Sequence, residues 1–141
     1  MVEGRISPRE QGDFGEQSAI DWLRWNGYGV YLPLGHSPHS DLIAEDGARL
    51  LRVQVKTSTV FRNGRWDITV CTRGGNRSWS GLVKHLDPLH IDYLFVLVAD
   101  GRRWFIPSEA VDGGCGIILG GPKYAAFEIE PGRPLVVTRA A

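Results

Sequence analysis

The sequence predicts an α/β (α+β) architecture, a leading helix packed on a mixed central β-sheet with a flanking helix. Three observations predict it. A stretch with helical apolar spacing precedes every strand-like run, two hairpins are marked by Asp46-Gly47 and Asn63-Gly64, and Tyr93–Ala99 is apolar throughout. At 141 residues, the chain reads as a single domain, 1–141, large enough to bury about two-thirds of its unfolded surface. Hydrophobic residues make up 43% and charged residues 23%, which is ordinary globular composition and excludes disorder.

The helix is expected from about Gly12 to Asn26, because Ala19, Ile20 and Leu23 recur at helical spacing and Gly27 supplies the stop. Gly29 to Leu34 reads as a short strand closed by Pro33 and Gly35, and a loop from His36 to Ser40 follows. Asp41–Glu45 and Arg49–Phe61 then form a hairpin across Asp46-Gly47, and Trp66–Cys71 returns after Asn63-Gly64. Thr72 to Gly81 is a polar, glycine-rich loop, and a short helical turn is expected around Leu82–Leu86. The apolar Tyr93–Ala99 suits a buried strand, with Asp100-Gly101 turning into Arg103–Ile106. Ser108 is placed to cap a short helix through Val111, and Phe127–Ile129 and Leu135–Thr138 are expected as edge strands.

Net charge is zero, but its distribution is uneven. Between Arg49 and Lys84 the bases are Arg49, Arg52, Lys56, Arg62, Arg65, Arg73, Arg77 and Lys84, and the only acid is Asp67. Such a split makes one cationic face on a neutral molecule, suited to a polyanion; a merely solvated basic surface is the alternative. Cys71 and Cys115 have no CxxC or Cys/His ligand spacing and read as free thiols in a reducing compartment. The N-terminus is charged where a secretory signal is apolar, and no apolar run approaches the roughly 20 residues of a membrane span, so a cytoplasmic location is expected. His36, His39, His85 and His90 lack zinc-helix spacing and read as surface or packing residues, Trp66 as core, and Trp79 as a core or base-stacking residue.

The hairpin carries the chemistry. With a two-residue loop at Asp46-Gly47, Glu45 pairs with Ala48 and Asp41 falls opposite Arg52. Alternation then puts Arg52, Gln54 and Lys56 on the side of Asp41, with Leu51, Val53 and Val55 toward the core. Asp41 and Gln54 become diagonal neighbours, able to share one ion. On the helix, Glu16 stands three, four and seven residues before Ala19, Ile20 and Leu23, where a carboxylate is costly unless a cation or hydrogen bonds meet it. Two carboxylates, an amide oxygen, the Val55 carbonyl and a lysine suit Mg²⁺ and phosphoryl chemistry.

These residues resemble the PD-(D/E)XK nuclease superfamily, whose site is an Asp on one strand, then an acid or amide, any residue, and Lys on the next. The chain reads Ser40-Asp41, twelve intervening residues, then Gln54-Val55-Lys56. Gly15-Glu16-Gln17-Ser18-Ala19, Gly27-Tyr28-Gly29-Val30, Asp41-Leu42-Ile43 and Val53 to Ser58 look most like bacterial group I intron homing endonucleases with a Gln-x-Lys variant. Ile91-Asp92-Tyr93-Leu94 and Trp104-Phe105-Ile106-Pro107 extend the resemblance over roughly Gly12 to Val111. It implies a restriction-endonuclease-like core and a Mg²⁺-dependent DNA endonuclease, with Mn²⁺ as substitute. Glu16, Asp41, Gln54 and Lys56 are the catalytic set, and Asp41, Gln54, Val55 and Glu16 the metal set. Arg49, Arg52, Arg62, Arg65, Arg73, Arg77 and Lys84 contact double-stranded DNA, and a homodimer or homotetramer is expected. A Holliday junction resolvase, a repair nuclease and a non-catalytic DNA-binding module are the alternatives, the last because Gln54 stands where an acid is usual.

Overall fold

The computed structural model describes residues 2–4, 6–37, 39–73, 83–84, 86–112, 114–135 and 137–139, with the backbone alone for 2–4, 72–73, 83–84 and 137–139. The elements are β1 (Val2–Gly4), α1 (Pro8–Trp25), β2 (Gly29–Tyr31), β3 (Leu42–Glu45), β4 (Leu50–Ser58), β5 (Phe61–Arg62), β6 (Arg65–Thr69), β7 (Thr72–Arg73), β8 (Val83–Lys84), β9 (Tyr93–Val98), β10 (Arg103–Pro107), β11 (Gly116–Leu119), β12 (Glu128–Ile129) and β13 (Val137–Arg139).

The helix α1 starts earlier than its apolar spacing indicates because a capping box fixes it. The Ser7 hydroxyl accepts the Glu10 N–H at 3.2 Å, and Glu10 Oε1 accepts the Ser7 N–H at 3.4 Å, with Pro8 preset for the first turn. It ends at Asn26 and Gly27, whose φ of +88° suits glycine. Gly15, Ala19 and Leu23, four residues apart, are its buried stripe.

The central sheet has the order β12-β10-β9-β4-β3-β2. β4 and β9 are parallel and the other neighbours antiparallel, so the sheet is mixed as expected. Its two faces are buried separately. Leu42, Ala44, Leu51, Val53, Phe95 and Leu97 pack with Ala19 and Leu23 of α1. Leu94, Val96, Val98, Trp104 and Ile106 pack with Trp66, Ile68, Ile117 and Leu119 of a second sheet, order β11-β6-β5. The result is three layers, with β4 and β9 in the middle.

Close packing of α1 on β4 depends on Gly15. A Cβ there would lie 2.3 Å from Thr57 Cγ2 and 3.2 Å from Val55 Cγ1. Gly15→Ala is therefore expected to cost about 1–3 kcal/mol despite alanine's better helix propensity, read as a lower urea midpoint at unchanged m-value.

Several expectations are corrected. Among the described residues α1 is the only α-helix, and the flanking helix is replaced by 3-10 turns at Ser108–Ala110 and Ala125–Phe127. Ser108 does not cap its turn, because it is the first residue of the turn, with Pro107 at the cap position, and its hydroxyl donates to the Ile91 carbonyl at 2.6 Å. The strand expected to run on to Phe61 stops at Ser58, whose hydroxyl bonds the Asp67 carbonyl at 2.6 Å, and Phe61–Arg62 joins the second sheet. Val83–Lys84 pairs with Thr72–Arg73 as a strand rather than forming a helical turn. β1, β11 and the β1–β13 pairing were not expected. The Asn63-Gly64 turn is a two-residue hairpin as read, with φ of +52° and +74° and Arg62 opposite Arg65. Trp66 is core, as expected.

Candidate active site

The β3–β4 hairpin differs from its expected register by two residues. Glu45 pairs with Leu50 and Leu42 with Val53, so the connection holds four residues, Asp46 to Arg49. The reason is local: the Asp46 side chain accepts the Ala48 N–H at 3.1 Å and the Arg49 N–H at 2.8 Å, and the Asp46 N–H donates to the Arg49 carbonyl at 3.1 Å. The ladder ends at Leu42↔Val53, and the Asp41 N–H returns to the Val53 carbonyl, so Asp41 lies beyond the paired strand beside Val53–Val55 and not opposite Arg52. A slip of two preserves side-chain parity along β4, where Gln54 and Lys56 share a face.

Asp41 stands where β3 gives out. Its N–H still donates to the Val53 carbonyl at 2.9 Å, and its Oδ2 accepts the Val55 N–H at 2.7 Å. The carboxylate thus takes the place of the missing strand residue along the edge of β4. The N–H and C=O of a strand residue point to the same edge, so the Val55 carbonyl also lies on this edge, beyond Leu42, the first residue of β3. No hydrogen bond to the Gln54 amide is found among the described residues.

Val55 meets α1 at Gly15, so Gln54 and Lys56 project from the opposite face of the sheet. Glu16 therefore does not lie directly across from them. The Asp41 charge is felt by Glu16 on the helix side and by Lys56 on the other, with Asp41 at the sheet edge between them. The electrostatics express this arrangement. Burial, then the neighbouring charges of Asp41 and Asp13, hold the Glu16 carboxyl above its ordinary range. Burial holds the Asp41 carboxyl up as well, opposed by the Val55 N–H and the Lys56 charge. Burial lowers the Lys56 ammonium, opposed by Asp41 and Cys71. Two desolvated carboxylates beside one half-buried lysine form a site that a cation would relieve.

The donors fit a hard divalent ion: two carboxylates, an amide oxygen and a backbone carbonyl, all oxygen. Among the described residues no group of three or more His, Cys, Asp and Glu side chains gathers into a metal site. A cavity of about 730 Å³ lies on the other flank of α1 against residues 131–135 and contains none of these groups.

A family model described as PD-(D/E)XK endonuclease matches residues 6–114. The chain belongs to that family. It is accordingly a DNA endonuclease, on a restriction-endonuclease-like α+β core. A solved bacterial homing endonuclease, I-Ssp6803I, has the same fold at a TM-score of 0.66, with 23% identity over 86% of this chain and 87% of that one. A comparison with curated proteins found no match. Among the described residues no helix is long and apolar enough to cross a membrane.

The basic residues of this endonuclease divide into distinct groups. Arg52 is committed internally: its Nε and Nη2 bond both Asp92 oxygens at 3.0 and 3.1 Å, its backbone N–H bonds Asp92 Oδ2 at 2.8 Å, and Nη1 bonds the Leu89 carbonyl at 2.6 Å. That fork ties β4 to the segment opening β9, and it marks Asp92 as a positioning residue that sequence reasoning did not single out. Hydrogen bonding from Arg52 holds the Asp92 carboxyl below its ordinary range. A depressed carboxyl adds stability above its unfolded pKa of about 4 and loses it as pH falls further. The Tm gap between wild type and Asp92→Asn should therefore be widest near neutrality and close below about pH 4.

Arg49 is exposed and pairs with Asp46 at 3.3 Å. Arg62 is exposed and pairs with Asp67, while Arg65 stands exposed beside it in the same hairpin. Arg73 and Lys84 face each other's strands in the β7–β8 pair, but their side chains lie outside the described residues, as do Arg77 and Trp79 altogether. The His39 ring stacks on His90, centroids 4.1 Å apart and planes 5° from parallel, while His36 is exposed.

Proposed function

We propose that the chain hydrolyses phosphodiester bonds in double-stranded DNA, in the manner of a homing endonuclease, using Mg²⁺ with Mn²⁺ as substitute. The observation that carries the reading is the Asp41 carboxylate seated on the Val55 N–H, which sets the strand-opening acid against Gln54-Val55-Lys56 on one sheet edge. Asp41, the Gln54 side-chain oxygen, the Val55 carbonyl and Glu16 are the residues that hold the ion. A divalent cation so bound supplies Lewis-acid charge at the phosphoryl oxygens and lowers the pKa of a bound water.

The chain's own groups do the rest. Lys56 steadies the attacking water and offers its ammonium to the charge that builds on the phosphoryl oxygens in the in-line displacement. Glu16, with its raised carboxyl, completes the shell around the ion or water from the helix side. Water adds to phosphorus, one P–O bond breaks, and the leaving oxygen ends protonated. Arg49, Arg62, Arg65, Arg73, Arg77 and Lys84 supply phosphate and base contacts. Arg52, given its fork to Asp92, serves to position β4. The whole of 1–141 acts as one catalytic domain in the cytoplasm. A protein this size covers few base pairs, so a homodimer or homotetramer divides a long target.

Cleavage of a randomised linear duplex library and of a four-way junction, under equal Mg²⁺, tests the substrate. Linear duplex cut at least as fast as the junction supports the homing-like reading; junction alone cut would replace it with a resolvase. Gln54→Glu adds a charged ligand, so the Mg²⁺ needed for half-maximal cleavage is expected to fall by roughly tenfold, since ligand charge sets affinity at oxygen sites. An unchanged requirement would remove Gln54 from the metal set.

A further inference from the structure

The chain has two cysteines, 44 positions apart, and the fold brings them to one point. β6 and β11 pair from Trp66↔Leu119 to Thr69↔Gly116, which sets Val70 opposite Cys115. There the ladder breaks in a particular way: the Val70 N–H donates to the Cys115 carbonyl at 2.9 Å, and the Cys71 N–H donates to the same carbonyl at 3.4 Å. Two residues of one strand facing one residue of its partner is a β-bulge. Cys71 therefore stands opposite Cys115 instead of one step beyond it.

Two observations place the thiols on one side of the pair, with Cys115 at its exposed rim. Cys115 shares the parity of Ile117 and Leu119, which are buried against the central sheet, while Gly116 and Ile118 face out. Cys71 interacts electrostatically with Lys56, and Lys56 projects from the central sheet toward this same layer. Opposed residues in an antiparallel pair have Cα atoms about 4.5–5.5 Å apart, inside the span of roughly 4.4–6.8 Å that a disulfide bridges. Cys71 is half-buried and Cys115 exposed, so a small oxidant reaches the pair from the Cys115 side.

We propose that Cys71 and Cys115 form a reversible intrachain disulfide beside Lys56 that suppresses DNA cleavage. The thiolate of one cysteine attacks a low-molecular-weight disulfide such as oxidised glutathione, expelling one glutathione thiol. The second cysteine attacks the mixed disulfide, expelling the other. One S–S bond forms, one breaks, and the chain's two thiols lose two electrons and two protons to the two glutathione thiols. Closing the bridge draws Cys71 toward β11 and so reshapes the wall against Lys56, where a misplacement of about 1 Å costs on the order of 100-fold in rate. The suppression rests on the role of Lys56 proposed above; the bridge itself does not.

The reduced full chain is treated with oxidised glutathione and digested with trypsin without reductant. The expected product is a cross-link joining residues 66–73 to residues 104–123, absent in Cys71→Ser and Cys115→Ser and lost on adding dithiothreitol. Cleavage by the bridged protein should fall at least tenfold and recover with dithiothreitol, whereas both serine variants should stay insensitive to the oxidant. Glutathione adducts or free thiols without the cross-link would overturn the proposal, as would a cross-linked protein that cleaves at the reduced rate. Reduced protein that never cleaves but does cross-link would instead count against the nuclease reading of Lys56, and with it against suppression, while leaving the bridge established.

Discussion

Replacing Lys56 with methionine is expected to abolish most cleavage and to make the protein more stable. The lysine is half-buried, and its ammonium is held below its ordinary range mainly by burial, with Asp41 and Cys71 too weak to compensate. A group whose folded pKa is depressed below an unfolded value near 10.4 opposes folding while it is charged, and the penalty fades as pH rises toward that value. Methionine keeps the straight stem and removes the charge. Thermal scans should show Lys56→Met melting above wild type at pH 7, by about 2–4 °C for each kcal/mol recovered, with the gap closing toward pH 10. Removing a preorganised donor to a developing oxyanion costs about 100- to 1,000-fold in kcat, and the same variant should show at least that loss. A stable variant with undiminished cleavage would leave Lys56 as a packing residue.

Asp41→Asn should separate metal binding from structure. An asparagine oxygen still accepts the Val55 N–H, so the edge of β4 keeps its partner, while Asp41→Ala leaves that N–H unpaired at about 1–3 kcal/mol. Burial raises the Asp41 carboxyl. The native state thus holds its proton more tightly than the unfolded chain, and the stability this confers is present below about pH 4 and lost as pH rises through the folded value. Asp41→Asn should therefore gain on wild type in Tm as pH rises from 3 to 7 without metal. With Mg²⁺ the order should reverse, because wild type gains binding energy that the variant lacks. Cleavage should fall by more than about 100-fold, beyond what loss of an outer-shell partner costs at a metal site. Equal stabilisation of both proteins by Mg²⁺ would remove Asp41 from the metal set.

That burial holds Glu16, Asp41 and Lys56 each away from its ordinary range is the pattern expected of a functional site. It also explains how much was legible in the sequence. Parity made the common face of Gln54 and Lys56 readable even though the register was off by two, because only an odd slip moves residues between faces. The slip came from the Asp46 side chain, which bonds two backbone N–H groups and widens the turn; a Gly at position 47 is compatible with either loop length. The start of α1 was present in Ser7-Pro8-Arg9-Glu10 as a capping box, a signal that apolar spacing alone passes over.

Other features had no local signature. Arg52 counted as one more base in a basic segment, and nothing near it in sequence shows that Asp92, 40 residues on, takes its guanidinium. Glu16 was read onto the helix stripe, but the buried stripe runs through Gly15, Ala19 and Leu23, and which sheet face α1 covers follows from the contact of Gly15 with Val55 and Thr57. The meeting of Cys71 and Cys115 depends on a bulge in a strand pair of which one member, β11, was not expected. Long-range pairings of this kind are fixed by packing of whole layers, which periodicity does not encode.

Side-by-side cleavage of a randomised duplex library by wild type, Lys56→Met and Asp41→Asn, with Mg²⁺ and with chelator, tests the central claim most directly. Cutting by wild type that requires the cation and is lost in both folded variants is the predicted result. DNA binding without any cutting under Mg²⁺ or Mn²⁺, or equal cutting by Lys56→Met, would contradict it.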